Sequence, residues 1–326
     1  MILPANELGI AQAVQALRDG HLVGLPTETV YGLAANTSDD AAVNLIFAAK
    51  GRPSDHPLIV HVASAVQVPL FAAQVPDFAQ RLMDAFWPGP LTLILPRQLG
   101  VAKTSAGGQD SIGLRCPSHP VAQAVLQAGL VLGVHGVSAP SANRFGRVSP
   151  TTAAHVQSEL ASELLILDGG ECAVGIESTI IDCTRGEPVL LRPGHITRLQ
   201  IEAACGRAVL DKDAIASAAP RASGTLESHY APRAKVCLMT APDIHAKLKA
   251  LGPHANNLGV WSAERLDTGA GVLWREQSTA AEQAAHDLFS VLRDLDARGV
   301  LQIWVQLPPD TPEWEGVRDR LKRAAA

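Results

Sequence analysis

Short apolar runs alternate with segments of helical period along this chain, and that alternation confines it to folds in which helices cover a sheet. Ile10, Val14 and Leu17 recur at helical spacing and predict a helix over 6–18. The run 21–25 reads as a strand that stops at Pro26. Val43, Ile46 and Phe47 mark the inner face of a helix over 39–50, entered through the capping-type residues Thr37 and Ser38. Further strands are expected at 58–62, 91–95, 111–114, 131–134, 164–167, 178–182 and 188–191, with helices at 77–86, 118–127 and 151–159. The later strands follow one another too closely for a helical crossover between each pair, so the α/β sheet should be mixed rather than purely parallel.

From 212 to 233 the periodicity lapses into small residues punctuated by Pro220, Gly224 and Pro232, which marks a long connection. Beyond it, strands at 235–239, 258–261, 272–273 and 301–306 alternate with helices at 242–250, 279–297 and 313–323. The 326 residues exceed what one core usually supports, roughly 250–300. The chain therefore divides into a first α/β domain over 1–211, a linker over 212–234 and a smaller α/β domain over 235–326.

Composition narrows the function classes. Apolar residues at 47% supply ample core, but aromatics are only 4%, so aliphatic side chains must fill it. A net charge of −5 argues against a sequence-independent nucleic-acid coat, though a few local cations could still hold a small anion. Cys116, Cys172, Cys183, Cys205 and Cys237 stand far apart with no C-x-x-C pair, as expected of free thiols in a reducing compartment. The first residues lack the pattern of a secretory signal, and no apolar stretch approaches the roughly 20 residues of a membrane span. A cytoplasmic protein is expected.

Four clusters carry chemistry-bearing residues. Within 26–61, Thr27, Glu28 and Thr29 follow a strand and are expected in a strand-to-helix crossover, where open α/β sheets bind ligands. Lys50, Arg52 and Ser54 leave a helix end through a Gly/Pro-interrupted turn, able to aim a point charge and a planar fork at one anion. Taken alone, such cations also read as solvated charges at a helix C-terminus. Ser138, Ser141, Asn143 and Ser149 form a hydroxyl- and amide-rich loop, and clusters of this kind are ordinarily just turns. Ser178 and Thr179 enter a strand in GIESTIID. Arg115 and Arg192 each end an apolar strand close to a proline, which points to anion contacts at one sheet edge. No phosphate loop of the G-x-x-x-x-G-K-[ST] type, no G-x-S-x-G elbow and no H-E-x-x-H zinc motif occurs. His61, His119, His135 and His155 lack metal-ligand spacing, and no metal ligand set is expected. The residues by themselves indicate an anion-handling α/β enzyme.

In order along the chain stand PTETVYGLAAN, K-G-R-P-x-x-x-P-L-I-V-H, A-P-S-A-N, and E-S-T-I-I-D followed by L-R-P-G. This ordered set resembles the YrdC-like threonylcarbamoyl-AMP synthases over about residues 6–205. The S-H-Y-A-P-R-A segment around Tyr230 resembles the longer, two-domain branch. The resemblance implies a twisted mixed sheet with a large concave cavity, followed by a Rossmann-like C-terminal domain. It implies synthesis of L-threonylcarbamoyl-AMP from L-threonine, bicarbonate (or CO2) and ATP with release of pyrophosphate. Partner transferases then use the product to modify the adenosine 3′ of the anticodon in tRNA.

By position, the resemblance assigns Thr27, His61, Arg115, the backbone at Ala139, and Ser178 to threonine. It assigns Lys50, Arg52, Ser141 and Asn143 to a catalytic set facing the triphosphate, with Ser54, Ser111, Ser149, Arg192 and the linker's Tyr230 as further ATP contacts. Mg2+ is implied on the ATP phosphates. The sequence departs from the family at Ala222-Ser223-Gly224 and in the lead-in 135–138. Two other readings stand beside this one. A carbamoyl transferase of the hydrogenase-maturation type would need C-x-x-C pairs and an acylphosphatase module that the sequence lacks, and an RNA binder fits poorly with the net charge.

Overall fold

The structure, a computed structural model, describes residues 1–215, 218–225, 229–252, 256–264 and 271–326. The chain forms two compact units. The first comprises Met1–Phe145 and Ser149–Thr225; the second comprises Gly146–Val148 and Leu226–Ala326. The linker positions 216–217 and 226–228 lie outside the described residues.

The first unit carries strands β1 (Ile2–Pro4), β2 (Val23–Leu25), β3 (Gly32–Asn36), β4 (Ile59–His61), β5 (Leu91–Pro96), β6 (Ser111–Arg115), β7 (Val137–Ser138), β8 (Leu165–Asp168), β9 (Thr179–Asp182), β10 (Val189–Arg192) and β11 (Leu210–Asp211). They hydrogen-bond in the order β1-β8-β2-β3-β7-β4-β6-β5-β9-β10-β11. The sheet contains both parallel and antiparallel pairs, as in β4 with β6 and β6 with β5, so it is mixed as the strand spacing required. Helices α1 (Glu7–Arg18), α2 (Asp40–Lys50), α3 (Val68–Phe71), α4 (Asp77–Phe86), α5 (Pro120–Val131), α6 (Ala153–Glu159) and α7 (Arg198–Cys205) cover it.

Apolar periodicity explains the packing. Phe78 and Leu82 of α4, with Ile201 of α7, meet Leu93, Leu95, Ile112 and Leu114 from β5 and β6. Val14 and Leu17 of α1 meet Val125 of α5 and Leu25 of β2. Val43, Ile46 and Phe47 of α2 meet Leu33 and Ala35 of β3. Each such buried aliphatic or aromatic side chain contributes about 1.5–3 kcal/mol relative to exposure.

Three expectations change. The helix after residue 39 is capped by Asp39, whose carboxylate accepts from the Ala41 and Ala42 amides at 2.9 and 3.1 Å, rather than by Thr37 or Ser38. Thr37 is instead buried, with its hydroxyl 2.9 Å from Ser138 Oγ. Residues 27–31 are not a strand-to-helix crossover. They turn the chain from β2 into β3, which pairs antiparallel with it in the register Val23↔Ala34. The small-residue run GLAAN carries too little side-chain pattern to reveal β3 in advance. Residues 131–134 are not a strand. The helix runs to Val131, Gly133 turns at φ 80°, and the Val134 amide bonds back to Gly129 O at 2.9 Å. The strand of this region is the two-residue β7.

The second unit is an all-parallel sheet of β12 (Lys235–Met239), β13 (Leu258–Ser262), β14 (Val272–Glu276) and β15 (Gln302–Gln306) in the order β12-β15-β13-β14. With α8 (Ala241–Leu251), α9 (Ala281–Ala297) and α10 (Glu315–Ala324) it has the Rossmann-like arrangement expected.

Candidate active site

Sheet register brings the site together. His61 pairs with Arg115, Arg115 with Thr92, Thr92 with Ile180, and Ile180 with Arg192. Residues in register share a face, so one row across four neighbouring strands and β4 presents His61, Arg115, Thr92 and Arg192 on one side of the sheet. A shallow cleft opens on this face, lined by Ile59, Thr92, Ser111 and Ile180 and bordered by Arg221 and Ser223.

At one end of the row, Arg115 is 4% exposed and held from three directions. Its Nε donates to Gly89 O at 3.3 Å, Nη1 donates to Thr29 Oγ1 at 2.7 Å, and Nη2 lies 2.7 Å from Glu28 Oε1. The hydroxyls continue the chain. Thr27 Oγ1 donates to Val30 O at 2.6 Å, so the 2.9 Å contact between Thr29 and Thr27 is donated by Thr29. Thr27 Oγ1 also accepts from the Thr29 and Val30 amides, and thereby builds the turn that carries Glu28. Burial works against the Glu28 charge, but the Arg115 charge and hydrogen bonding outweigh it and the carboxyl titrates below its ordinary value. Burial, reinforced by the Arg115 charge, lowers the His61 pKa to about 3, so its imidazole is neutral. Ala139 commits its amide to Ile59 O at 3.0 Å, which leaves only its carbonyl for a ligand.

At the other end, Arg192 donates from Nε and Nη2 to Ser178 O at 3.0 and 2.9 Å and from Nη2 to Ser178 Oγ at 3.1 Å. Ser178 Oγ is also 2.7 Å from Thr92 Oγ1, which links this end to the strand that pairs with Arg115. Gly194, in the turn after Arg192, lies so close to this segment that a Cβ would stand 2.5 Å from the Thr179 amide nitrogen. That contact explains the Pro-Gly pair.

Lys50 closes α2 one residue before Gly51, whose φ of 63° ends the helix. Its Nζ donates to Ser141 O and Asn143 O at 2.6 and 2.5 Å, tying the helix end to the serine-rich loop. Burial first, then the neighbouring Arg52 charge, hold its pKa well below the ordinary ammonium value. Arg52 Nη2 donates to Pro57 O at 2.8 Å and Ser223 Oγ at 3.2 Å. Arg192 Nη1 reaches the Ser223 carbonyl at 2.9 Å, so Ser223 joins the two guanidinium groups. Ser149 donates to Glu177 Oε1 at 2.5 Å, and both are buried. Ser111 opens β6 at the cleft, while Ser54 lies exposed in the turn after Arg52. Tyr230 belongs to the second unit. There its ring packs 5.3 Å from that of Phe289 and beneath the Arg320 guanidinium at 5.5 Å.

Comparison with known proteins shows the family of the chain. A sequence profile described as "Telomere recombination", for the Sua5, YciO and YrdC proteins, matches residues 15–194. A second, "Threonylcarbamoyl-AMP synthase, C-terminal domain", matches residues 196–326. The threonylcarbamoyl-AMP synthase of Pyrococcus abyssi is 38% identical, over 98% of this chain and 95% of its own. The chain belongs to the threonylcarbamoyl-AMP synthase family. The Bacillus subtilis threonylcarbamoyl-AMP synthase is also 38% identical, over 99% of this chain and 94% of its own. The crystal structure of P. abyssi Sua5 complexed with L-threonine superposes with a TM-score of 0.90 at 36% identity, covering 100% of this chain and 97% of that one. Like the synthases it matches, the chain is an enzyme.

Glu28, Thr29, Thr92, Glu177 and Ser223 had no place in the sequence-based assignment, yet each contacts a residue that did. Thr92 sits in an ordinary apolar run, and only register reveals it. Glu28 and Glu177 lie inside motifs already singled out. A carboxylate followed by a hydroxyl residue and flanked only by uncharged ones was the available signal.

Proposed function

We propose that this enzyme condenses L-threonine, bicarbonate (or CO2) and ATP to L-threonylcarbamoyl-AMP and pyrophosphate. The observation that carries this reading is the buried row in which Arg115 and His61 stand at one end and Arg192 at the other, with a cleft over Thr92 and Ile180 between them. Arg115 suits an amino-acid carboxylate, with Thr27, neutral His61, the Ala139 carbonyl and Ser178 around the remainder of threonine. Lys50 and Arg52, with the loop of Ser141 and Asn143, suit the triphosphate. Ser54, Ser111, Ser149, Arg192 and Tyr230 are assigned to the rest of the nucleotide.

Neither chemical step calls for a protein nucleophile. The threonine amine attacks CO2, and a carbamate oxygen then attacks the α-phosphorus as pyrophosphate leaves. The protein's task is alignment, exclusion of water and compensation of charge on the phosphoryl oxygens. The cationic set Lys50, Arg52 and Arg192 suits phosphate oxygens rather than a bare metal ion, so Mg2+ would enter on the nucleotide. There it would neutralise part of the triphosphate charge. The product would pass to a transferase that modifies the adenosine 3′ of the anticodon in tRNA, in the cytoplasm. No helix among the described residues is long and apolar enough to cross a membrane.

Pyrophosphate release tests the reading. Release should require threonine and bicarbonate together, with the rate falling to background when either is withheld. Release with ATP alone at the full rate would overturn it.

A further inference from the structure

Glu28 has no part in the assignments above, yet it is 7% exposed and its carboxylate faces Arg115 at 2.7 Å. The carboxylate is held in its charged form by that ion pair and by the backbone of Glu28 and Ser118. The guanidinium cannot swing away from it, because Nε and Nη1 are committed to Gly89 and Thr29.

The other ionisable groups that interact with Glu28 do not add charge. His61 and His119 are both held toward the neutral form by burial. The thiols of Cys116 and Cys172 are both pushed up by burial, and so stay protonated. Glu28 and Arg115 are therefore the full charges at this end of the row among the described residues, and they cancel; Arg192 stands at the other end, on Ser178. A buried pocket with zero net charge has a definite preference. Bringing in a simple anion leaves one uncompensated negative charge in a medium that solvates it poorly, whereas a zwitterion adds none.

We propose that Glu28 is the counter-charge that keeps the amino-acid pocket electrically neutral, so that the enzyme takes L-threonine as its zwitterion and rejects monoanions of the same shape. Glu28 acts through Arg115, as a positioning and specificity residue, and the proposal rests on the reading of Arg115 as the carboxylate site. Replacing Glu28 with glutamine keeps the shape but leaves Arg115 uncompensated, and a monoanion then balances the pocket better than a zwitterion does.

Calorimetric titration of L-threonine and of 3-hydroxybutanoate, which lacks the ammonium group, tests this at one pH in wild type and in Glu28→Gln. The wild type should favour threonine by at least about tenfold, and Glu28→Gln should narrow that ratio by about tenfold, the loss of one charge contact at a partly screened site. Glu28→Asp should restore much of the preference. A second measurement needs no variant. Wild-type affinity for threonine should fall as pH is raised through the pKa of the ligand's own ammonium group, because the ligand becomes a monoanion. An unchanged ratio in folded Glu28→Gln, or wild-type affinity that holds or rises with that pH change, would overturn the role of Glu28. A wild type that binds no threonine would overturn the reading of the site itself, and this proposal with it.

Discussion

His61 shows how a single buried side chain ties the site to the stability of the fold. Its pKa of about 3 means that it stays neutral in the folded chain well below the ordinary value of 6.5. Between those two values the unfolded chain binds a proton that the folded chain does not. The contribution of His61 is thus fully present above pH 6.5 and is lost progressively as pH falls toward 3. From pH 6.5 to 5.0 the loss is about 1.5 kcal/mol. The urea unfolding free energy should fall between those two pH values by about that much less in His61→Gln than in wild type. An equal fall in both proteins would show that His61 is not held neutral. Lys50 is held in the same sense, its charged form disfavoured by burial, and an incoming triphosphate would reverse that balance by supplying negative charge.

Helix α2 is the element that delivers Lys50, and both of its ends are specified by single residues. Asp39 caps the start by accepting two amide hydrogen bonds, and Gly51 ends it in the left-handed region. Asp39→Ala should cost about 0.5–2 kcal/mol, seen as a lower denaturant midpoint at unchanged slope, while Asp39→Asn should cost a few tenths. Equal midpoints for wild type and Asp39→Ala would contradict the capping role.

The same helix shows what was legible beforehand. Its span and inner face follow from the spacing of Val43, Ile46 and Phe47, but its cap does not, because Thr37, Ser38 and Asp39 all have capping chemistry and tertiary contacts decide among them. β3 and β7 escaped notice for a related reason. One is built from small residues and the other has two, so neither carries an alternation that outweighs its surroundings. At the site, the cations were legible because they stand at strand and helix ends next to proline or glycine. The partners that hold them in place were not. The contacts Arg115–Glu28, Arg192–Ser178 and Arg52–Ser223 join positions far apart in sequence or concealed in turns, and only the tertiary fold brings them together.

Across the whole molecule, a net charge of −5 coexists with a site where buried Lys50, Arg52, Arg115 and Arg192 outnumber Glu28 and Glu177, so the bulk charge says little about the ligand. The assigned residues other than Tyr230 fall within the first unit, and Tyr230 packs within the second. Each unit has its own sheet, and the two profiles that match the chain meet near residue 195. The central claim is that one cleft joins the carbon of bicarbonate, the nitrogen of threonine and the α-phosphate of ATP. Mass spectrometry of the product formed from 13C-bicarbonate, L-threonine and ATP tests it most directly. The expected result is one adenylate carrying both threonine and a single 13C atom, formed together with pyrophosphate. Adenylate without the labelled carbon, or AMP alone at the full rate of ATP consumption, would contradict the account.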